Sequence, residues 1–107
     1  MKRLLLLGAL LVAAQPAMAA YKFLLPRAID ATLKCLETTI PRDCTAAENA
    51  LESLRSYAKK NGNIMCSAHG TIPSVKVGLM AGMISVPTED EKLKIFEYLG
   101  QMEESCK

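Results

Sequence analysis

The chain has 107 residues, half of them hydrophobic, and a formal charge of +2 at pH 7. This length suits one small domain. The excess positive charge equals that of Lys2 and Arg3, without which 11 basic residues would balance the 11 acidic ones. The charge balance of the remaining chain therefore gives no electrostatic case for a nucleic acid or an anionic membrane surface as partner.

The first 19 residues have the pattern of a secretory signal peptide. Two basic residues precede an almost unbroken apolar run over residues 4–12, and Ala17-Met18-Ala19 places small residues where a signal peptidase reads them. The apolar run is about half of the roughly 20 residues that span a bilayer. We therefore predict cleavage after Ala19, a single mature domain over residues 20–107 with no membrane span, and a location in a bacterial periplasm.

Four cysteines lie beyond the predicted cleavage site, namely Cys35, Cys44, Cys66 and Cys106. An even number of cysteines in a small exported domain is typical of a disulfide framework, and four cysteines allow three pairings. We therefore expect two disulfides.

The segment after the leader predicts a helix that begins at Pro26, because proline is tolerated in the first turn of a helix. Residues 21–25 are interpreted as a short lead-in that packs onto the body of the domain, and Pro41 is expected to stop the helix. Apolar residues recur at helical spacing along one face, which comprises Ile29, Leu33, Leu36 and Ile40.

A second helix is predicted after a tight turn at residues 42–44. Thr45 and Glu48 have the spacing of a capping box, and Asn61-Gly62 supplies the left-handed residue that ends many helices. The face expected to be buried comprises Ala47, Leu51, Leu54 and Ala58. Residues 63–73, which follow, are compatible with either a loop or a helical turn.

The most apolar stretch beyond the leader is residues 74–86, between Pro73 and Pro87. We interpret this stretch as a buried central helix. A short strand over residues 74–79 is the alternative, because apolar residues alternate there with polar or small ones.

Two glycines interrupt this stretch, and on a helix Gly78 and Gly82 would share one side with Ser74 and Ser85. A glycine in a helix interior costs about 1 kcal/mol relative to alanine. We therefore expect this side to allow the close approach of a neighbouring helix. Leucine in place of either glycine should wedge that helix away. If either variant is as stable as the parent, this side faces solvent or a partner, and the stretch is an interface candidate instead of core.

The last helix is predicted to begin at a second capping box, formed by Thr88 and Glu91. Its apolar stripe comprises Ile95, Leu99, Met102 and Cys106. Together the patterns predict an all-α fold, a bundle of about four antiparallel helices that are joined by short connections and stapled by disulfides.

The bundle restricts the disulfide pairing. Cys44 opens the second helix and Cys66 lies beyond its other end, so about 15 helical residues would separate them by roughly 22 Å. A disulfide needs Cα atoms within about 7 Å of each other. Because Cys35 lies near Cys44 and Cys106 near Cys66, we predict the pairs Cys35–Cys44 and Cys66–Cys106.

His69 is the single histidine and the main candidate for chemistry. With Cys66 it could supply half of a zinc site, but the other half would need the remaining cysteines. Ser67 and Ser74 lie nearby, yet neither has a nucleophile-elbow pattern or an implied acid that would orient the histidine. We predict no metal, no cofactor, no catalytic residue and no enzyme activity. A small hydrolase that uses His69 is the alternative.

One segment resembles a known family. Cys35-Leu36, followed by Pro41 and Cys44 and by a helix that ends near Tyr57, resembles the small exported accessory proteins of conjugative plasmids of the TrbM/KikA type. The resemblance covers about residues 28–58. It implies a periplasmic role in mating-pair formation or type IV secretion, without a known active site.

We therefore expect a non-enzymatic exported protein that binds a protein partner in the cell envelope. A periplasmic immunity protein, or an inhibitor that blocks a toxin or hydrolase by covering its active site, is the alternative. Genes for a secretion ATPase and pilus components beside this one would favour the first interpretation, and an adjacent toxin gene would favour the second.

Overall fold

The computed structural model describes residues 16–107, with side chains from residue 20 onward. Most of the predicted leader lies outside the described residues, so the leader and its cleavage after Ala19 stay predictions. The described part of the chain contains five helices and no strand: α1 Pro16–Thr38, α2 Pro41–Lys60, α3 Ile64–His69, α4 Thr71–Ala81 and α5 Glu89–Ser105. The all-α class with four principal helices is confirmed, and residues 63–73 contain the short helix α3.

Helix α2 has the most extensive contacts in the bundle, with α1, α3 and α4, although it does not contact α5. Its buried residues recur every three or four positions and form one face: Cys44, Ala47, Ala50, Leu51, Leu54 and Ala58. The predicted face of this helix is confirmed. The prediction that residues 74–86 form a central helix is confirmed for the part of the stretch in α4, which contacts each of the other four described helices, and is wrong for residues 82–86, which lie beyond the end of that helix.

The start of α2 differs from the prediction. Pro41 lies in its first turn and does not act only as a stop for α1, because the fixed φ and missing N–H of proline suit the first helical position. Asp43 also lies in the first turn, where its negative charge is favourable. Thr45 lies inside the helix and donates to the Pro41 carbonyl at 3.0 Å. The predicted turn at residues 42–44 and the first capping box are therefore wrong.

Helix α1 begins earlier than predicted, at Pro16, and Pro26 lies inside it. An interior proline removes one backbone hydrogen bond. The segment before Pro26 gains burial in return, because Tyr21 is buried and its ring packs edge-to-face on Tyr57 with centroids 5.1 Å apart. Residues 21–25 are therefore part of α1 and not a separate lead-in, and their predicted packing onto the body of the domain is confirmed at Tyr21.

The buried stripe of α1 is rotated from the predicted one. Leu36 is buried as predicted, whereas Leu33 and Ile40 are 40% and 46% exposed. The core-facing stripe is built mostly from small residues, namely Ala28, Thr32 and Cys35. The buried Thr32 hydroxyl is satisfied because it donates to the Ala28 carbonyl at 2.7 Å.

Helix α4 is shorter than the predicted helix over residues 74–86. It ends at Ala81, and residues 82–88 form the connection to α5. Its main neighbour is α2, and its buried residues are Pro73, Ser74, Val77 and Met80. Since residues 74–79 are helical, the strand alternative is wrong as well.

Neither glycine separates two helix backbones. A Cβ at Gly78 would collide with the carboxylate of Glu48 on α2, whose Cδ lies 3.5 Å from the Cβ position. Gly82 is exposed and follows α4, and a Cβ there would meet only Ile84 and the Gly78 carbonyl, at 3.4 Å and 3.5 Å. The close approach predicted at Gly78 is therefore to a side chain, and the packing role predicted for Gly82 is wrong.

Helix α5 follows its prediction. The Glu91 N–H donates to Thr88 Oγ1 and the Thr88 N–H donates to Glu91 Oε1, both at 3.2 Å. The predicted stripe is buried along α5 and the residue after it, at Ile95, Leu99, Met102 and Cys106. Both the second capping box and the stripe are confirmed.

Two buried disulfides hold the bundle with the predicted pairing. Cys35–Cys44 joins the end of α1 to the first turn of α2, and Cys66–Cys106 joins α3 to the residue after α5. Their Cα atoms are 4.6 Å and 4.8 Å apart, and their sequence separations are 9 and 40. A loop-entropy argument gives stabilisations of about 3 and about 4 kcal/mol.

Candidate functional site

An apolar groove opens at the end of the bundle where α1 and α4 finish and α2 and α5 begin. We call it the end groove. Its volume is about 410 Å³. Its lining residues are all uncharged, and they comprise Thr39, Pro41, Met80, Met83, Ile84, Ser85 and Val86.

Large apolar side chains around the end groove are exposed to solvent. Met83 is 81% exposed, Ile84 73% and Val86 65%, and Ile40, between two lining residues, is 46% exposed. Single exposed apolar residues are ordinary, whereas several around one concavity are typical of an interaction surface. Ile64, which is 74% exposed, lies far from this group on α3.

One wall of the groove begins with the end of α4. The Met83 N–H bonds the Met80 carbonyl at 3.0 Å and the Ile84 N–H bonds the Leu79 carbonyl at 2.9 Å, the two bonds of a Schellman motif. The residue that must be left-handed in this motif is Met83, with φ 58°. Glycine usually fills that position, but here the glycine, Gly82, lies one residue earlier with φ −80°.

The facing wall begins with the end of α1. Thr39 has φ 56°, which is unusual for a β-branched residue, and its N–H bonds the Cys35 carbonyl at 2.8 Å. The Thr38 hydroxyl fixes the turn, since it donates to Asp43 Oδ2 at 2.8 Å and accepts from the Ile40 N–H at 3.2 Å. The turn thereby presents Ile40 to solvent at the groove.

The two non-glycine residues with positive φ in the described chain, Thr39 and Met83, thus line the same cavity. A left-handed conformation costs an L-residue about 1–2 kcal/mol. Backbone conformations of this kind cluster at functional sites, where the surrounding structure maintains them. The end groove is therefore the strongest candidate site in the described part of the molecule.

The floor of the groove is buried against a disulfide. Met80 is only 3% exposed, and its Sδ lies 3.7 Å from Cys35 Sγ in the Cys35–Cys44 disulfide. This disulfide also fixes the start of α2, next to Pro41. The floor at Met80, on α4, therefore packs against the disulfide that joins α1 to α2.

An ion pair positions the other wall. The Lys76 ammonium on α4 bonds the Glu91 carboxylate in the first turn of α5, across the connection that carries Met83 and Val86. The hydrogen bond from Lys76, followed by the one from the Thr88 N–H, holds the pKa of Glu91 below its ordinary value. The two ends of residues 82–88 are thereby fixed to each other.

His69 lies at the opposite end of the bundle, which contains α3 and the last residues of α2 and α5. We call this end of the bundle the closed end. The serine beside it is Ser105, not Ser67 or Ser74: His69 Nδ1 is 2.9 Å from Ser105 Oγ. Ser105 donates its single hydroxyl proton to the Gln101 carbonyl at 2.9 Å. His69 Nδ1 must then donate to Ser105 Oγ, so this nitrogen is not placed to accept a proton from the serine.

The contact between His69 and Ser105 has a structural role, because it holds α3 against the end of α5. The Asn63 side chain also donates to the Ser105 carbonyl, at 2.8 Å. Both contacts join the region of α3 to the end of α5, beside Cys66–Cys106. Within residues 16–107 there is no group of three or more His, Cys, Asp or Glu side chains that could hold a metal ion.

The sequence patterns do not locate the end groove, because they place Met83 and Ile84 inside a helix and offer the stretch as an interface only as an alternative. The signal that could have found it is the sequence from Gly82 to Pro87. A residue that favours helix ends and a proline enclose a short apolar run there, which is typical of an exposed apolar loop.

Comparisons with known proteins found no family model, no curated protein and no solved structure that matches this chain. The resemblance to TrbM/KikA-type proteins therefore stays a prediction. None of the helices within residues 16–107 is long and apolar enough to cross a membrane.

Proposed function

We propose that this is a small exported protein that acts without catalysis, by binding another protein of the cell envelope through the end groove. The observation that carries the proposal is the group of exposed apolar side chains around one cavity, among them Met83 at 81% and Ile84 at 73% exposure. An apolar concavity of this kind loses contact with water when a partner covers it, and that loss drives association.

The composition of the groove favours an apolar protein surface as its partner. The lining residues are uncharged, so a charged ligand would lose its hydration there without a compensating ion pair. The walls carry flexible or branched apolar side chains, and methionine in particular adapts to partners of different shape. The floor at Met80, in contrast, is buried and packs against a disulfide.

The proposed setting is the periplasm. Two buried disulfides are typical of an oxidising compartment. We further propose that the process is conjugative transfer or type IV secretion. The segment that resembles TrbM/KikA-type proteins includes Thr39 and Pro41, which form one wall of the end groove.

The test is capture of partners by the exported, oxidised chain in its native host. Ile84→Asp places a charge at the groove, and Ile64→Asp is its matched control, because both isoleucines are about equally exposed, at 73% and 74%. Circular dichroism would establish that both variants are folded. We expect Ile84→Asp to lose envelope proteins that the wild type and Ile64→Asp retain.

Equal capture by the two variants, or no capture by the wild type, would contradict the groove as a binding surface. Recovery of envelope secretion components would support the proposed process. Recovery of a lone toxin or hydrolase would replace that process with inhibition.

A further inference from the structure

We propose that, in the absence of its envelope partner, the end groove is covered by the end groove of a second copy of this chain, in a two-fold symmetric dimer. The proposal rests on the proposed function, because it takes the end groove to be the binding surface. It adds what covers that surface before the partner arrives.

The first argument is shape. A two-fold interface uses the same patch on both copies, so the patch must contain both projections and a concavity that receives them. The end groove has both features. Its floor at Met80 is 3% exposed, while Met83 and Ile84 on its rim are 81% and 73% exposed. The rim of one copy can therefore enter the cavity of the other.

The second argument is charge. Arg42 follows the wall residue Pro41, and Asp90 lies at the start of α5, just after the opposite wall. Both side chains are exposed, and neither has an ion-pair partner within residues 16–107. In a two-fold arrangement the α2 wall of one copy meets the opposite wall of the other, which brings Arg42 towards Asp90 twice. Residues 20–107 also carry no net charge that would repel a second copy.

The third argument is area. The exposed apolar residues of the groove form a patch on the order of 500 Å², the size of the largest patch on an ordinary monomer. Two facing patches would bury about 1,000 Å², below the roughly 1,200–2,000 Å² of stable interfaces. The dimer should therefore be weak. Weak association protects the apolar side chains and still allows a partner with a larger surface to displace the second copy.

Sedimentation velocity of the exported, oxidised chain over a concentration series, from about 1 µM to about 1 mM, tests the proposal. We expect the wild type and Ile64→Asp to shift from the mass of one chain towards twice that mass, and Ile84→Asp to remain monomeric. Arg42→Glu and Asp90→Arg should each weaken the dimer, and the double variant Arg42→Glu/Asp90→Arg should restore it. Thermal melts would establish that each variant is folded.

A wild type that is monomeric throughout the series, or an Ile84→Asp variant that dimerises equally well, would overturn the proposal. Failure of the double variant to regain the association would overturn the two-fold arrangement. If the wild type is monomeric but Ile84→Asp still fails to capture the envelope partner that the wild type captures, the dimer alone is refuted. If the wild type dimerises, Ile84→Asp does not, and the wild type captures no envelope protein, the proposed function alone is refuted.

Discussion

The two ends of the bundle use the same backbone geometry with different residues. At the closed end, α2 stops in a Schellman motif with Gly62 in the left-handed position, at φ 74°. At the groove end, α4 stops in the same motif with Met83 in that position, at φ 58°. Glycine adopts this conformation readily, whereas methionine is strained by it. The molecule accepts the strain at the end where the side chain borders an apolar cavity.

The two ends of the bundle also differ in the kinds of side chain at their surfaces. The closed end carries polar contacts, including His69 to Ser105 and Asn63 to the Ser105 carbonyl. The groove end exposes Met83, Ile84 and Val86. Each end has one disulfide. The closed end also exposes Ile64 and Met65 on α3, at 74% and 58%, so the difference lies in the arrangement: at the groove end the exposed apolar side chains border one uncharged cavity. This arrangement is the basis for the proposal that the groove end binds a partner and the closed end maintains the fold.

The largest expected effect comes from removal of the disulfides. Replacement of both Cys66 and Cys106 by alanine should lower the free energy of unfolding by about 4 kcal/mol, and replacement of both Cys35 and Cys44 by about 3 kcal/mol. Urea unfolding at low temperature would measure both losses. Only Cys35–Cys44 lies at the groove. Its removal alone should therefore abolish partner capture by a chain that is still folded. Loss of capture only in the variant without Cys66–Cys106 would reverse the roles assigned to the two ends.

A smaller loss is expected from the groove floor. Met80→Ala removes a side chain that is 3% exposed and should lower the free energy of unfolding by about 3 kcal/mol, since it leaves a cavity beneath the groove. Met65→Ala is the control, because Met65 is 58% exposed on α3, and it should change stability by less than about 0.5 kcal/mol. Chemical denaturation of the two variants would compare them. Equal losses would show that Met80 does not support the groove.

The closed-end Schellman motif gives a prediction of about 1 kcal/mol. An added Cβ at Gly62 meets nothing within 4 Å, so Gly62→Ala introduces backbone strain alone. The free energy of unfolding should fall by about 1 kcal/mol and the melting temperature by several degrees. Partner capture should be unchanged. A loss of capture in this variant would show that the closed end takes part in binding.

The smallest effect concerns the ion pair that holds the groove wall. The Lys76 hydrogen bond lowers the pKa of Glu91. The ionised carboxylate therefore stabilises the fold at pH values above the ordinary glutamate pKa of 4.5, which applies in the unfolded chain. That stabilisation is lost as the pH falls through the pKa of Glu91 in the fold. Glu91→Gln keeps a capping side chain but loses the charge. Its melting temperature should lie below that of the wild type at pH 7, and the difference should narrow as the pH falls below 4.5. A difference that is independent of pH would contradict this role of the ion pair.

Features set by nearby residues were predictable from the sequence. The Thr88–Glu91 capping box and the buried stripe of α5 depend on local spacing, and both occur as predicted. The disulfide pairing followed from the length of one helix, since that length keeps Cys44 away from Cys66. Predictions of this kind succeed because few alternative arrangements satisfy the same short-range constraint.

Features that depend on tertiary contacts were not predictable. The start of α1 extends past Pro26 because Tyr21 packs on Tyr57, which lies 36 residues further along the chain. The end of α4 was missed because the left-handed residue is Met83, whose type disfavours that conformation, and not Gly82. The end groove exists only because α4 stops at Ala81, so its prediction failed together with the helix boundary.

The most direct test of the role of the end groove is the variant Met83→Gly. The side chain is 81% exposed, so its removal forfeits little burial, and glycine relieves the strain of the left-handed position. We expect the free energy of unfolding to rise by about 0.5–1 kcal/mol, while capture of the envelope partner falls. Stability and capture should therefore change in opposite directions in one protein. A Met83→Gly variant that gains stability and captures its partner as well as the wild type does would contradict the conclusion that the strained methionine serves binding.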